Sequence, residues 1–261
     1  MEITEQEKAK TLKEFSIQSK ADGKPSANTE HWRLYGHPLC PYVERAKLAL
    51  KHHEAEYQNV HVSLPDRPDW FYSYHRGAVP ILEIPDASGT KFIAESTIVV
   101  EYVDDELKDK SPAHALFPSD PFERASRKMF LDKFRDLGLY MFRSILTTKE
   151  DKRSRDLSKI EELLSILEEE LSTSGAKYLF GEEKYGFVDI ILFCQVKQIL
   201  ILSKKIDWPI QTFPSVKKWV NRIRAEPRLK GGLNSEADFL AMIQSFKHTG
   251  VWGLKYPLAK I

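Results

Sequence analysis

The spacing of the hydrophobic residues changes along this chain, and that change limits the fold more than any other feature. Up to residue 107, short alternating segments and helical patterns follow one another, separated by turns rich in Gly, Pro and Asp. Beyond residue 121 the spacing is helical throughout. One stripe has the spacing i, i+3, i+4, i+7, i+11, and its members are Ile160, Leu163, Leu164, Leu167 and Leu171. The sequence therefore predicts an α/β domain followed by an all-α helical domain.

The α/β part of the sequence predicts its elements in a defined order. The order is strand, helix, strand, connecting segment, hairpin and helix, which is the arrangement of a thioredoxin-like domain. The predicted ranges are 32–36, 41–50, 57–62, 80–84, 91–94 and 96–103. Ser96 is predicted to cap the last of these helices, because serine is among the preferred residues at a helix N-cap.

Length and composition set the predicted domain boundaries. A chain of 261 residues is typical of two domains. Residues 1–30 are rich in Lys, Glu, Ser and Gln, so they are expected to form an N-terminal extension that is at best partly ordered. Residues 31–107 form the predicted thioredoxin-like domain. Residues 108–121, which include three prolines, form the predicted linker, and residues 122–261 form the helical domain.

Charge and cysteine content argue against several classes of function. Thirty-nine basic and 38 acidic residues give a formal net charge of +1, so neither nucleic acid nor an anionic membrane is expected as a partner. The two cysteines, Cys40 and Cys194, form no CxxC pair, so no metal site and no disulfide framework is expected. No leader segment and no membrane span is predicted, and the expected location is cytoplasmic.

Cys40 lies where the first predicted strand gives way to the first predicted helix. Pro41 suits the first helical position, which places Cys40 at the N-cap. Val43, Ala46 and Leu50 share one face of that helix. Free backbone N–H groups and the helix macrodipole stabilise a thiolate at such a position, so a lowered pKa is expected for Cys40. On the local pattern alone, a buried and inert cysteine is an equally good interpretation.

Several segments resemble omega-class glutathione transferases. Residues 40–45, Cys-Pro-Tyr-Val-Glu-Arg, are similar to the Cys-Pro-aromatic-x-x-Arg active-site turn of that class. The resemblance continues in the same order at 67–71, 78–83, 94–96 and 116–121, and more weakly at 187–189, 219 and 226–227. It covers nearly everything after residue 31. It implies the fold of the cytosolic glutathione transferases, with glutathione as co-substrate and no metal.

The resemblance implies a role for residues at the centre of a glutathione site. Cys40 would lie beside the glutathione sulfur and form a mixed disulfide with it. Val79 would pair its main chain with the cysteinyl part of glutathione, with a cis peptide bond before Pro80. The alternative interpretation is that Val79 and Pro80 are simply the residues at which a strand begins.

Four further residues are carried over from the same resemblance. Glu95 and Ser96 would hold the γ-glutamyl end of glutathione, and Arg67 would stand near its glycyl carboxylate. Tyr42 occupies the position where the family usually has phenylalanine. Taken alone, Glu95 could be a solvated charge, Ser96 only a helix cap, and Arg67 only a surface residue.

One cysteine is sufficient for the implied chemistry. The Cys40 thiolate attacks a glutathionylated substrate and releases its thiol, and a second glutathione then frees Cys40 as oxidised glutathione leaves. The resemblance therefore implies thiol transferase activity, which includes deglutathionylation, and reduction of dehydroascorbate. Small disulfides and oxidised compounds are the expected second substrates.

The resemblance also implies a second-substrate pocket and a homodimer. Phe239, Met242 and Phe246 follow the spacing i, i+3, i+7 and would form the pocket wall between the domains. A helical stripe of this kind is equally well explained as core.

Two kinds of rival function remain open at this point. Lambda-class transferases and dehydroascorbate reductases of plants share the Cys-Pro-aromatic turn and the chemistry. Intracellular chloride-channel proteins share the turn and the scaffold without being enzymes. Their first helix is more apolar than this one, where Glu44, Arg45, Lys47 and Lys51 lie close together.

Overall fold

The structure, a computed structural model, describes residues 15–26, 30–86, 89–110, 114–173, 175, 177–203 and 213–249. Side chains are described within these ranges from residue 19 to residue 244. The chain divides into two compact units. The first combines Met1–Leu107 with Gly231–Ile261, and the second is Lys108–Lys230.

The first unit contains a five-stranded sheet of order β1-β3-β2-β4-β5 within the described ranges. The strands are β1 (Phe15–Gln18), β2 (Trp32–Gly36), β3 (Tyr57–Val62), β4 (Ile81–Asp86) and β5 (Gly89–Ala94). Strands β1 and β2 run parallel to β3, whereas β4 is antiparallel to both β2 and β5. The predicted hairpin is therefore present, and its turn at residues 87–88 lies outside the described residues.

The described residues include helices in both units. They are α1 (Pro41–His52), α2 (Ser96–Leu107), α3 (Pro121–Asp132), α4 (Leu137–Leu146), α5 (Glu150–Thr173), α6 (Phe187–Ser203), α7 (Pro214–Ala225) and α8 (Glu236–Thr249). Helix α1 connects the parallel strands β2 and β3, as a crossover connection must, and α2 follows the hairpin. This confirms a thioredoxin-like α/β domain in the N-terminal part and an all-α region after it.

Helix α1 packs by the face that its sequence predicts. Val43, Ala46 and Leu50 are all buried. Strand β2 ends at Gly36, where a Cβ atom would lie 2.4 Å from Cγ2 of Val43. No side chain larger than hydrogen fits there without moving the helix, so glycine lets the first turn of α1 approach the strand end. This contact fixes where Cys40 begins the helix.

The second unit is helical and is organised around buried aliphatic stripes. All members of the predicted stripe of α5 are buried, namely Ile160, Leu163, Leu164, Leu167 and Leu171. Helix α6 is buried along almost its entire length. The polar group at its start is Asp189, 2 % exposed, which accepts hydrogen bonds from the N–H groups of Leu179 and Gly186 and from the indole of Trp219. One carboxylate thereby joins three segments of the unit.

One observation differs from the predicted domain boundaries. The described residues from Gly231 to Thr249 group with the first unit, whereas the sequence assigned 122–261 to the helical domain. The N–H of Asn234 donates to Oε1 of Glu44 at 2.6 Å, and Nζ of Lys47 donates to Oδ1 of Asn234 at 3.1 Å. These polar contacts with α1 involve residues 187 or more positions apart, and hydrophobic periodicity carries no signal for them.

The segment before β2 contains a strand that the sequence did not predict. Strand β1 has only four residues and pairs on one side, with β3. Its pattern, Phe-Ser-Ile-Gln, is too short to separate from a polar extension. Residues 1–14 and 27–29 of the predicted extension lie outside the described residues.

A search of the described helices for a membrane span gave no candidate, since none is both long enough and apolar enough.

Candidate active site

Cys40 occupies the N-cap of α1, as the sequence predicts. Its backbone is extended, with φ −71° and ψ 125°, and Pro41 takes the first helical position. The Cys40 N–H donates to the carbonyl of His37 at 3.0 Å, and the Cys40 carbonyl accepts from the N–H of Glu44 at 3.0 Å. The turn after β2 and the first turn of the helix therefore hold the cysteine backbone from both sides.

His37 stabilises this turn as a neutral imidazole. Its side chain is buried, and Nδ1 accepts a hydrogen bond from the N–H of Leu39 at 3.2 Å. Burial, together with the smaller effect of the neighbouring charge of His61, lowers the pKa of His37 to about 4. At neutral pH the ring is uncharged, and Nδ1 is occupied by a backbone donor. His37 is therefore a structural part of the turn that presents Cys40.

The ionisation of Cys40 differs from the prediction. The residue keeps some exposed surface, but burial of its sulfur raises the pKa of the thiol above the ordinary value. The backbone N–H groups of Val43 and Tyr42 and the positive charge of Arg45 lower the pKa, while Glu44 raises it. Desolvation is the largest of these effects, so the expected lowering is wrong for the protein without ligand. The stabilising groups of the helix terminus are present but outweighed.

This result predicts how the reactivity of Cys40 depends on pH. Because burial raises the pKa of the Cys40 thiol above its ordinary value, the thiolate is a minor species at pH 7, and its fraction grows about tenfold per pH unit until the pKa is passed. We expect the alkylation rate of Cys40 by iodoacetamide to rise continuously from pH 6 to pH 9, together with the thiolate absorbance near 240 nm. The Cys40→Ser protein provides the blank. A rate that is already constant at pH 7 would contradict the raised pKa.

Arg45 connects the cysteine helix to Ser96. Its Nη1 donates to Oγ of Ser96 at 3.0 Å, and its guanidinium lies over the ring of Tyr42 at 4.9 Å from the centroid. Arg45 and Ser96 are both buried, whereas Tyr42 is partly buried. Arg45 therefore links two residues of the predicted site, Tyr42 and Ser96, by direct contact.

Glu95, not Ser96, occupies the cap position of α2. The carbonyl of Glu95 accepts the first helical hydrogen bond, from the N–H of Val99 at 2.9 Å, and Ser96 is the first helical residue. The predicted cap is thus wrong by one residue, and the Ser96 hydroxyl accepts a hydrogen bond from Arg45. Glu95 has a positive φ of 68°, which costs a non-glycine residue about 1–2 kcal/mol. Its exposed carboxylate pairs with His75, Oε1 to Nε2 at 2.7 Å.

The peptide bond between Val79 and Pro80 is cis, as the resemblance implies. Strand β4 begins immediately after it, at Ile81. The main chain of Val79 is therefore placed at the start of a strand.

Arg67 is partly buried, and its Nε atom is buried without a hydrogen-bond partner among the described residues. Its Cδ lies 3.5 Å from where a Cβ of Gly77 would be, and Gly77 has a φ of 75°. The arginine stem therefore packs beside the loop that leads to Val79. A guanidinium N–H that is buried without a partner is consistent with a site for an acceptor.

The segment after β1 touches the same loop, which the sequence did not predict. The indole N–H of Trp70 donates to the carbonyl of Asp22 at 3.0 Å, and the Lys24 ammonium lies 5.2 Å from the ring centroid of Tyr74. Nη1 of Arg33 donates to the carbonyl of Ser26 at 2.7 Å. The Trp70–Asp22 and Lys24–Tyr74 contacts join residues that are about 50 positions apart in the sequence, so only folding brings them together.

The predicted second-substrate residues lie in α8. Phe239 and Met242 are 2 % and 7 % exposed, and the side chain of Phe246 lies outside the described residues. Burial of this degree is what the core interpretation expects. The pocket role of these three residues stays a prediction.

Cys194 differs from Cys40 in its position and exposure. It is fully buried in α6, and its thiol donates to the carbonyl of Ile190 at 3.3 Å. Neither cysteine forms a disulfide bond. In the part of the chain that the structure describes, no three His, Cys, Asp or Glu side chains are grouped to hold a metal ion.

The first unit is thioredoxin-like, with a cysteine at the N-cap of its first helix and a cis-proline before β4, and the second unit is helical. These features define a two-domain protein with a cysteine at its candidate active site. Comparison with protein families identifies it further. The family model "Glutathione S-transferase, N-terminal domain" matches residues 34–111, and "Glutathione S-transferase, C-terminal domain" matches residues 130–227. Together they match more than half of the chain, which therefore belongs to the glutathione S-transferase family.

Individual relatives agree with the predicted class. The chain is 28% identical over 200 residues to pyrimidodiazepine synthase of Drosophila melanogaster, covering 75% of this chain and 77% of that protein. It is 27% identical over 216 residues to human glutathione S-transferase omega-2, covering 82% and 85%. A solved tau-class glutathione S-transferase from mango superposes with a TM-score of 0.69 at 24% identity, covering 82% and 98%. The predicted resemblance to omega-class enzymes is confirmed, and the solved structure confirms the fold.

Proposed function

We propose that this protein is a glutathione-dependent thiol transferase and reductase in which Cys40 is the nucleophile. The observation that carries the proposal is a free, partly exposed cysteine at the N-cap of a 12-residue helix, in a chain of the glutathione S-transferase family. The N–H groups of Tyr42 and Val43 and the guanidinium of Arg45 favour its thiolate. Cys194 is buried, so the reaction uses one cysteine.

The reaction proceeds by two thiol–disulfide exchanges. The Cys40 thiolate attacks the glutathione sulfur of R–S–SG, the S–S bond breaks, and R–S⁻ leaves and takes up a proton. A glutathione thiolate then attacks the same glutathione sulfur in the Cys40–S–SG intermediate. This step releases oxidised glutathione and restores the Cys40 thiolate. Dehydroascorbate reduction consumes two molecules of glutathione, which supply two electrons and two protons. The Cys40 thiolate adds to a carbonyl carbon of dehydroascorbate, and a glutathione thiolate then attacks the Cys40 sulfur, so that the C–S bond breaks, ascorbate leaves and Cys40–S–SG forms. The second glutathione exchange described above then releases oxidised glutathione and restores the Cys40 thiolate.

The remaining predicted site residues bind glutathione in this proposal. The main chain of Val79, before cis-Pro80, pairs with the cysteinyl part. Ser96 presents a backbone N–H at the start of α2 to the γ-glutamyl carboxylate, while Glu95 accepts from the α-ammonium. Arg67 directs its unpaired Nε–H towards the glycyl carboxylate.

Three groups that favour the Cys40 thiolate are in place before glutathione binds, namely the N–H groups of Tyr42 and Val43 and the guanidinium of Arg45. Arg45 is held by Ser96 and Tyr42, so its charge needs no rearrangement to act on the sulfur.

A homodimer in the cytoplasm is the proposed working state, with no nucleic acid or membrane partner. Helix α3 has no buried residue, and Phe122 and Met129 are 81 % and 73 % exposed at the spacing i, i+7. Large apolar side chains on one exposed face are typical of a protein contact. Two free cysteines fit a reducing compartment.

Intact mass spectrometry after incubation with oxidised glutathione tests the nucleophile. We expect one glutathione adduct on the wild type, the same adduct on Cys194→Ser, and none on Cys40→Ser. An adduct that persists in Cys40→Ser would show that Cys40 is not the nucleophile.

Glutathione binding without turnover is the second candidate, and the raised pKa of Cys40 favours it. Turnover of the glutathione–hydroxyethyl disulfide separates the two. A protein that binds glutathione but does not turn over this disulfide would be a scaffold that resembles the intracellular chloride-channel proteins. Relative rates with glutathionyl disulfides and dehydroascorbate separate the omega type from lambda-class and dehydroascorbate-reductase enzymes.

A further inference from the structure

His75 is a polar residue beside the proposed glutathione site to which neither the motifs nor the family resemblance gives a role. Its Nε2 lies 2.7 Å from Oε1 of Glu95, and the two side chains are 47% and 59% exposed. In a neutral imidazole Nε2–H can donate, and in a protonated imidazole it must donate. The contact therefore holds one oxygen of the Glu95 carboxylate and leaves the other, Oε2, without a partner among the described residues.

The contact joins two strained pieces of backbone. Glu95 has φ 68°, and His75, Arg76 and Gly77 follow one another with φ 41°, 56° and 75°. Backbone conformations of this kind persist only where surrounding contacts hold them, and they concentrate at functional sites. The His75–Glu95 hydrogen bond connects these two segments directly.

Both segments carry residues of the proposed site. Gly77 is two positions before Val79, whose main chain is proposed to pair with the cysteinyl part of glutathione. Glu95 is proposed to accept from the α-ammonium and is followed directly by Ser96. One imidazole therefore connects the groups for two parts of the same ligand.

We propose that His75 is a positioning residue for glutathione. It fixes the Glu95 carboxylate so that Oε2 faces the α-ammonium of the γ-glutamyl end, and it fixes the loop that sets Val79. The proposal rests on the glutathione site proposed above. Without His75, the exposed Glu95 side chain would have to give up rotamer freedom on binding, which weakens affinity.

Three variants test the proposal by steady-state exchange with the glutathione–hydroxyethyl disulfide. His75→Ala is expected to raise KM for glutathione by about three- to tenfold, the range of one hydrogen bond, with kcat within about twofold. His75→Gln, which can still donate to Glu95, should restore KM to near wild type. Arg76→Ala is the matched control, because Arg76 is adjacent to His75, exposed, and likewise has a positive φ. This variant is expected to leave KM unchanged.

A ligand comparison identifies the group through which His75 acts. The analogue glutaryl-cysteinyl-glycine lacks only the α-ammonium of glutathione and keeps its α-carboxylate. The preference for glutathione over this analogue should be smaller in His75→Ala than in wild type. An equal loss for both ligands, an unchanged KM, or failure of His75→Gln to restore it would overturn the proposal.

Calorimetry in a Cys40→Ser background keeps this test independent of turnover. The dissociation constant of glutathione in Cys40→Ser should increase when His75→Ala is added, whether or not the wild type turns over disulfides. If the wild type gives no Cys40 adduct while this increase is observed, the proposed thiol transfer is wrong and the proposed positioning role of His75 is supported. If the adduct forms and the dissociation constant does not change, only the role of His75 fails.

Discussion

Replacing Cys40 by serine is expected to lower kcat/KM for glutathione–hydroxyethyl disulfide exchange by about a thousandfold or more, to the rate of free glutathione alone. A hydroxyl neither ionises near neutral pH nor forms a disulfide, so the mixed-disulfide route is closed. The measurement is the glutathione-dependent reduction of the disulfide, coupled to the consumption of oxidised glutathione.

Two comparisons make this result specific to the thiol. Cys194→Ser should keep wild-type activity, because Cys194 is fully buried in α6. Cys40→Ser should fold normally, since the Cys40 side chain makes no capping hydrogen bond and serine is favoured at an N-cap. Activity within tenfold of wild type in a folded Cys40→Ser protein would show that another group performs the exchange.

Elements with a regular hydrophobic pattern were predictable from the sequence. The ranges of β2 and β3 match the predicted ones at both ends, and the α5 stripe from Ile160 to Leu171 is buried as predicted. These elements bury one face each, so burial imposes the spacing that can be recognised in the sequence. The N-cap position of Cys40 follows from Pro41 in the same way.

A strand that pairs along one edge only, and contacts between side chains far apart in the sequence, could not be predicted. Among the described residues, strand β1 pairs only with β3, and the apolar–polar alternation of its four residues is too short to identify a strand. The contacts of Asn234 with Glu44 and Lys47 depend on how the chain returns to α1. His75 is one of eight histidines, and only the fold shows that it meets Glu95.

The pKa of Cys40 shows why a local signal can mislead. The sequence reveals the helix terminus and the nearby arginine, and both lower the pKa. It does not reveal how much protein surrounds the sulfur, and this burial raises the pKa by more than those groups lower it. Electrostatics along one helix can be inferred from sequence, whereas desolvation depends on the whole fold.

Replacing Asp189 by alanine is expected to lower the free energy of unfolding of the helical unit by about 4 kcal/mol. The substitution leaves the N–H groups of Leu179 and Gly186 and the indole N–H of Trp219 without their acceptor. Each buried donor without a partner costs about 1–3 kcal/mol. Urea unfolding followed by tryptophan fluorescence measures the change.

The control for this substitution is Asp136→Ala. Asp136 is exposed, stands at the N-cap of α4 and makes no capping hydrogen bond, so a change below about 0.5 kcal/mol is expected.

The same unfolding measurement, repeated at several pH values, tests the ionisation of Asp189. Burial raises the pKa of Asp189 to about 6, above the unfolded value, so the folded protein binds this proton more readily. The stability that Asp189 contributes should therefore decrease as the pH rises from 5 to 7, and the gap between wild type and Asp189→Ala should narrow over that range. A loss no larger than that of Asp136→Ala would show that other groups satisfy these three donors.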